Sequence, residues 1–204
     1  QALTNSTDLQ FVDRSLAAEE FWHTRDGSES RDVGVALMGE GANKRWQYQI
    51  GAYNGTGINK DEKDNSDHML VGRVVITPFG EVPLLEVDPT RPDSPRLAVG
   101  LSAMSLTKGT QALEEEGKEL TAGFEVFFQL GGFNLLAEYV SRDEDRSVAI
   151  PDDEADVDGW YAQAGYLLAN GFGVAGRYSA TSRDTAGTEP ETTEAGVALS
   201  YYFR

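Results

Sequence analysis

Between residues 33 and 203 the chain alternates. In WYAQAGYLL, residues 160–168, one parity reads Trp160, Ala162, Ala164, Tyr166 and Leu168, and the other reads Tyr161, Gln163, Gly165 and Leu167. A period of two marks a strand whose two sides meet different surroundings, because successive side chains point to opposite faces of a sheet. Such runs recur at residues 33–39, 45–53, 69–78, 96–106, 120–130, 133–141, 160–168, 172–180 and 195–203. The connections alternate as well. Residues 41–43 (Gly-Ala-Asn), 131–132 (Gly-Gly) and 169–171 (Ala-Asn-Gly) have the composition of tight hairpin turns, in which Gly and Asn supply positive φ at little steric cost. Residues 54–67, 107–118, 142–158 and 182–193 are long and acidic. One connection breaks the pattern: residues 79–95 fall on the tight-turn side yet are long and rich in proline. Every connection reads as a hairpin and none as a crossover helix, so an antiparallel sheet with neighbours in sequence order is expected.

The two parities differ in chemistry. One carries Trp46, Tyr48, Ile50 and Ala52; Leu97, Val99, Leu101 and Ala103; Phe124, Val126, Phe128 and Leu130; Val197, Leu199, Tyr201 and Phe203. The other carries Arg45, Gln47 and Gln49; Arg96, Gly100 and Ser102; Thr121, Glu125 and Gln129; Gly196, Ser200 and Tyr202. Aromatics gather near the ends of the runs, at Trp46, Phe133, Tyr139, Trp160, Tyr166, Phe172, Tyr178, Tyr201 and Phe203. A soluble sandwich also alternates, but its apolar faces meet each other; in a membrane barrel they meet lipid, bounded by aromatic belts. No apolar run approaches the roughly 20 residues of a membrane-spanning helix. Long loops on one side, short turns on the other and aromatic strand ends predict an all-β, transmembrane, antiparallel up-and-down β-barrel with its tight turns in the periplasm. Nine runs make an odd number, whereas single-chain bacterial barrels close with an even one, so the sheet is expected to stay open in this chain or to be completed by further strands.

Charge narrows the partners. Lys and Arg number 17 against 34 Asp and Glu, a formal charge of -17, which opposes general binding to nucleic acid. With no cysteine there is neither a disulfide nor a thiolate for catalysis or metal binding. The two histidines, His23 and His68, sit in expected loops without zinc spacing, so a nucleophile and a histidine on one wall are lacking and no enzyme is expected. DEKDNSDH, residues 61–68, crowds carboxylates without the register of a calcium loop, and DDEADVD, residues 152–158, does the same; both read as solvated acidic loops. GTGINK, residues 55–60, lacks the full phosphate-loop pattern. No metal or cofactor is expected.

The first 30 residues differ from the rest. Leu9, Phe11, Val12, Leu16, Phe21 and Trp22 keep no period of two, and Arg14, Glu19, Glu20 and Arg25 interrupt any lipid-compatible face. Two regions follow: residues 1–30 as a loop entering the lumen and forming its constriction, and residues 31–204 as barrel strands with long acidic loops. Candidate lumen residues are Arg14, Arg25, Arg45, Arg73, Arg96, Glu125, Glu138 and Arg177, with Glu194 beside them. Each has two readings. It sets the charge met by a passing solute, or it pairs with an opposite charge as structural lining.

LTNSTDLQFVDRS (residues 3–15), RDVGVALMGE (31–40), YQIGAYNGTG (48–57) and VGRVVITPFGEVP (71–83), in this order, resemble the phosphate-selective porin O and P family of Gram-negative outer membranes. The resemblance implies a barrel of about sixteen strands, in a trimer, surrounded by outer-membrane lipid and lipopolysaccharide. It also implies that residues 3–21 lie in a lumenal loop and that a segment like GVALSYYFR (196–204) is followed by more strands, so both ends look cut. The function it implies is passive diffusion of small hydrophilic solutes, with anions such as phosphate among the candidates; the alternative is a barrel serving as a structural or binding partner in an outer-membrane assembly. The chain departs from the family in its lumen. Anion-taking members line it with arginines and lysines, whereas the inward set here mixes Arg45, Arg73, Arg96 and Arg177 with Glu125, Glu138 and Glu194.

Overall fold

The structure is a computed structural model and describes residues 33–41, 43–55, 68–82, 87–110, 115–145, 155–185 and 191–203. The expected constriction loop, with Arg14 and Arg25, lies outside the described residues, as do residues 61–67 and 152–154 of the two acidic loops. Nine strands follow one another: β1 (Gly34–Gly41), β2 (Trp46–Tyr53), β3 (Met69–Ile76), β4 (Arg96–Thr110), β5 (Glu115–Leu130), β6 (Phe133–Asp145), β7 (Ala155–Leu167), β8 (Phe172–Thr185) and β9 (Glu191–Tyr201). They form one sheet in sequence order, and every neighbouring pair is antiparallel. No helix occurs among the described residues. The sheet is not closed, and β1 and β9 are its edges.

The alternation assigns residues to faces as the sequence implies. Trp46, Phe124, Trp160, Val174 and Leu199 are exposed, whereas Glu125, Gln163 and Arg177 are buried. Register makes these faces continuous. One row of the outward face runs Trp46, Ile76, Val99, Val126, Ala137, Ala162, Tyr178 and Ala195 across β2 to β9, exposed at its two ends and half-buried from Val99 to Ala162. A one-residue slip in any strand would turn its apolar set to the other face, so the pattern holds all eight registers together.

The later strands are longer than the alternation suggests. β5 begins at Glu115 instead of residue 120, β6 runs to Asp145 instead of 141, and β7 begins at Ala155 instead of 160. The added residues put carboxylates on the exposed face, where Asp143, Asp156 and Asp184 stand opposite one another, with Asp158 in the next row. Backbone pairing does not need an apolar side chain, so the ladder continues past the point where the hydrophobic signal ends.

The turns carry the expected residues with one shift. Gly131 (φ 58) and Gly132 (φ 97) make the two-residue β5–β6 turn, and Gly171 (φ 91) closes the β7–β8 turn, where the Phe172 N–H donates to Asn170 Oδ1 at 3.2 Å. Between β1 and β2, however, Gly41 stays in the strand and the left-handed residues are Asn43 (φ 57) and Lys44 (φ 62). Lys44 is held there from outside. Its carbonyl accepts from Thr77 Oγ1 at 2.6 Å, and its Nζ donates to Glu81 Oε1 at 2.8 Å. That partner raises the Lys44 pKa, by hydrogen bond first and by charge second.

The two glycines of the β5–β6 turn make different demands. A Cβ on Gly131 meets nothing, whereas one on Gly132 collides with the Leu167 carbonyl oxygen and with Arg91 Nε at 2.8 Å. Gly132→Ala is therefore expected to cost roughly 1 to 3 kcal/mol, since strain at positive φ adds to the clash. Gly131→Asn should cost less than about 1 kcal/mol because Asn tolerates the left-handed region. Denaturant midpoints of the two variants test the difference.

Candidate functional site

The buried face of the sheet is polar and charged. On β5 to β8 it presents Thr121, Glu125 and Gln129; Asn134, Glu138 and Arg142; Tyr161 and Gln163; Arg177 and Ser179, all buried. Burying charge is costly unless it is paired. The pairing is cross-strand.

Glu125 shows how a glycine shapes this face. Across β5, β4 and β3 the register sets Glu125 opposite Gly100 and Gly100 opposite Val75. A Cβ on Gly100 would collide with the Glu125 side chain, with Cγ at 2.6 Å. The carboxylate thus lies over the strand that lacks a side chain and reaches Arg73, two strands away, where Oε1 accepts from Nη2. Both side chains are largely buried, at 13% and 10% exposure. Arg177 reaches Glu194 on β9 at 3.0 Å, and Arg142 lies 3.4 Å from Glu119.

An apolar cluster lies beside these pairs. Val75, Ala98, Phe127, Leu136 and Tyr161 are buried together, one each from β3 to β7. Val82, from the long β3–β4 connection, packs on this cluster. The same connection returns to the sheet through Asp88, which accepts from Arg96 Nη1 and from the Thr90 amide and hydroxyl at 2.8 and 2.6 Å. Burial works to raise the Asp88 pKa, but the two Thr90 donors and then Arg96 outweigh it and hold the carboxyl below its usual range. Farther on, Arg91 Nη2 donates to the Gly131 carbonyl at 3.0 Å, and its guanidinium lies 5.9 Å from the centre of the Tyr166 ring.

The residues singled out from the sequence are placed as follows. Arg73, Arg96, Glu125, Glu138 and Arg177 share the inner parity, and Arg73 meets Glu125 there. Arg45 does not join them: it is exposed in the β1–β2 turn, where its carbonyl accepts from the Thr77 N–H at 2.9 Å. Sequence reasoning missed Glu119, Arg142 and Asp88. Glu119 and Arg142 continue the parities of Glu125 and Glu138, so extending those runs finds them; Asp88 lies in an irregular connection and gives no periodic signal. At the β1–β3 side the inner face opens into a groove of about 340 Å³ lined by Met38, Glu40, Gln47, Gln49, Arg73 and Val75, with Gly39 and Tyr48. Glutamine amides, a guanidinium and a carboxylate there can both donate to and accept from a polar solute.

Two consequences are measurable. Gly100→Val should push Glu125 off β4 and break the Arg73 pair, and Arg73→Ala should cost about 3 kcal/mol by leaving a buried carboxylate uncompensated. In a double-mutant cycle the two should couple by at least about 1 kcal/mol; additive losses would mean that Gly100 does not serve this pair. Asp88, with its lowered folded pKa, contributes stability that is complete above its unfolded value of about 3.9 and lost as pH falls through the lower folded value. The stability difference between the parent and Asp88→Asn should therefore be level at neutral pH and shrink only in strongly acidic solution.

Comparison of the chain with protein-family models finds no match, and comparison with curated proteins finds none either.

Proposed function

We propose that this sheet is part of the wall of a Gram-negative outer-membrane porin, through which small hydrophilic solutes diffuse passively. One observation carries the reading: an uninterrupted sheet has an exposed apolar face bounded by aromatic residues and an opposite face that is charged. Along β7 and the residue that follows it, the outward parity runs from Trp160 through Ala162 and Ala164 to Tyr166 and Leu168. At about 3.3 Å per residue that is roughly 27 Å along the strand, and a tilt of about 40° leaves roughly 20 Å of height, close to the apolar band of a transmembrane barrel. Trp160 and Tyr178 rings meet at 5.4 Å on one margin and Phe172 and Tyr201 at 4.6 Å on the other. The Tyr139 hydroxyl donates to Asp158 at 2.6 Å, tying the first margin to the acidic row beyond it. Amphipathic rings at both limits of an apolar band suit the two interfaces of a bilayer.

The resemblance to phosphate-selective porins supports the same reading and adds a closed barrel of about sixteen strands, a trimer, and anions such as phosphate among the solutes. Arg73, Arg142 and Arg177 pair with Glu125, Glu119 and Glu194, which offsets three guanidinium charges, and Glu138 opposite Glu125 adds a further carboxylate to this face. Selectivity then rests on groups beyond them, with Arg14 and Arg25 as the proposed constriction charges. A second reading, a barrel that anchors a partner, draws on the depth of burial of Gln163 and Ser179 on the inner face.

Planar bilayers test both. The protein should give stepwise ion conductance with a reversal potential in a salt gradient, and Arg14→Ala with Arg25→Ala should shift it toward cations. Membrane insertion without conductance would favour the anchor; failure to insert at all would sink the membrane reading.

A further inference from the structure

We infer that the inner face of β1 to β3 is a binding subsite for a neutral polyhydroxylated solute, a small sugar, which lodges there on its way through the pore. The inference rests on the porin reading and names the solute class. Register builds the subsite. Met38, Gln49 and Arg73 form one inner row across β1, β2 and β3, and Glu40, Gln47 and Val75 form the next. With strands about 4.8 Å apart and alternate residues about 7 Å apart, these side chains cover roughly 10 by 7 Å, the footprint of a mono- or disaccharide. They line the groove of about 340 Å³, toward the small end of ligand pockets. The two glutamine amides stand at its centre, the charged groups of Glu40 and Arg73 at opposite corners, and the apolar Met38 and Val75 at the other two.

A flat aromatic surface adjoins the amides. Tyr53 shares the parity of Gln47 and Gln49, and its ring fills the space that side chains at two glycines would take. A Cβ on Gly34 would strike the ring at Cδ1, and one on Gly51 would meet Cε2 at 2.5 Å and the hydroxyl at 2.9 Å. The ring therefore lies down against the backbone and turns one face away from the sheet. Gln49 Nε2 donates to the Tyr53 hydroxyl at 3.3 Å, which holds the ring beside the groove and leaves the amide carbonyl and the phenolic proton for a solute. This combination fits a sugar better than an ion. A sugar has an apolar C–H face, which suits the negative face of an aromatic ring, and a rim of hydroxyls that both donate and accept, as amides do. An inorganic anion gains less, because Arg73, the cation among the lining residues, is already bonded to Glu125, and Glu40 adds a second carboxylate.

Ion current in planar bilayers reads occupancy, because a lodged sugar obstructs the path. Glucose or sucrose should lower the conductance of the parent protein along a saturable curve, beyond the proportional fall that viscosity causes, whereas inorganic phosphate at constant ionic strength should give no saturable block. Tyr53→Ala and Gln47→Ala should each raise the half-saturating sugar concentration by roughly fivefold, the loss of one stacking or hydrogen-bonding contact, while Tyr53→Phe, which keeps the ring, stays closer to the parent. Heat-modifiable gel migration reports folding, and Gln47→Ala carries the test if Tyr53→Ala does not fold. A conducting parent whose current falls only in proportion to viscosity, or folded variants with the parental curve, would overturn the subsite and leave the pore reading intact. Saturable block by phosphate in place of sugar would overturn the neutral class. A parent protein that inserts without conducting would instead remove the pore reading, and the subsite with it.

Discussion

Everything in this structure depends on one unbroken antiparallel ladder with a side-chain period of two. Each strand has a single choice, which parity faces which side, and pairing passes that choice to its neighbour. Eight successive registers make the same choice, so Trp46, Phe124, Trp160, Val174 and Leu199 share one surface while Arg73, Glu125, Gln163 and Arg177 share the other. Had a single register slipped, Arg177 or Glu125 would stand in the apolar band. In the barrel wall proposed above, an arginine turned to the middle of the bilayer would cost about 2 to 4 kcal/mol, a large part of the stability of a small domain.

The inner face solves a problem that the ladder creates. Alternation concentrates polar side chains where they are buried, and buried charge must find a partner. Local neighbours are often unsuitable: Glu125 stands directly opposite Glu138. The absence of a side chain at Gly100 lets Glu125 turn the other way and cross β4 to Arg73. A glycine inside a strand ordinarily weakens it, and here it opens the passage for an ion pair. These pairs bind β3 to β5 and β8 to β9 by side chains, in addition to the backbone ladder.

The β3–β4 connection departs from the local rule for a related reason. Its length is not needed to reverse the chain, and its contacts reach three other parts of the sheet: the β1–β2 turn, the β5–β6 turn and β7. Lys44 keeps a left-handed backbone that a lysine rarely adopts while Thr77 and Glu81 hold its carbonyl and its ammonium. Turn and connection thus stabilise each other, and the tight-turn end of the sheet behaves as one joined rim.

The sequence by itself determined the strand order, the antiparallel pairing, the glycine turns at residues 131–132 and 171, and the face of residues such as Phe124, Glu125, Trp160 and Gln163. All of these follow from a period of two and from the few residues that accept positive φ, which are local properties. Only the tertiary structure decided how far the strands run, that Asn43 and Lys44 instead of Gly41 make the first turn, that Arg45 stays exposed, and that Glu125 meets Arg73. Strand ends beyond Leu120 and Ser141 are held by backbone pairing, which leaves no hydrophobic trace. The partner of a charge depends on stagger between strands far apart in sequence, and the seat of Val82 gathers residues from five strands, so neither can be read from one strand at a time.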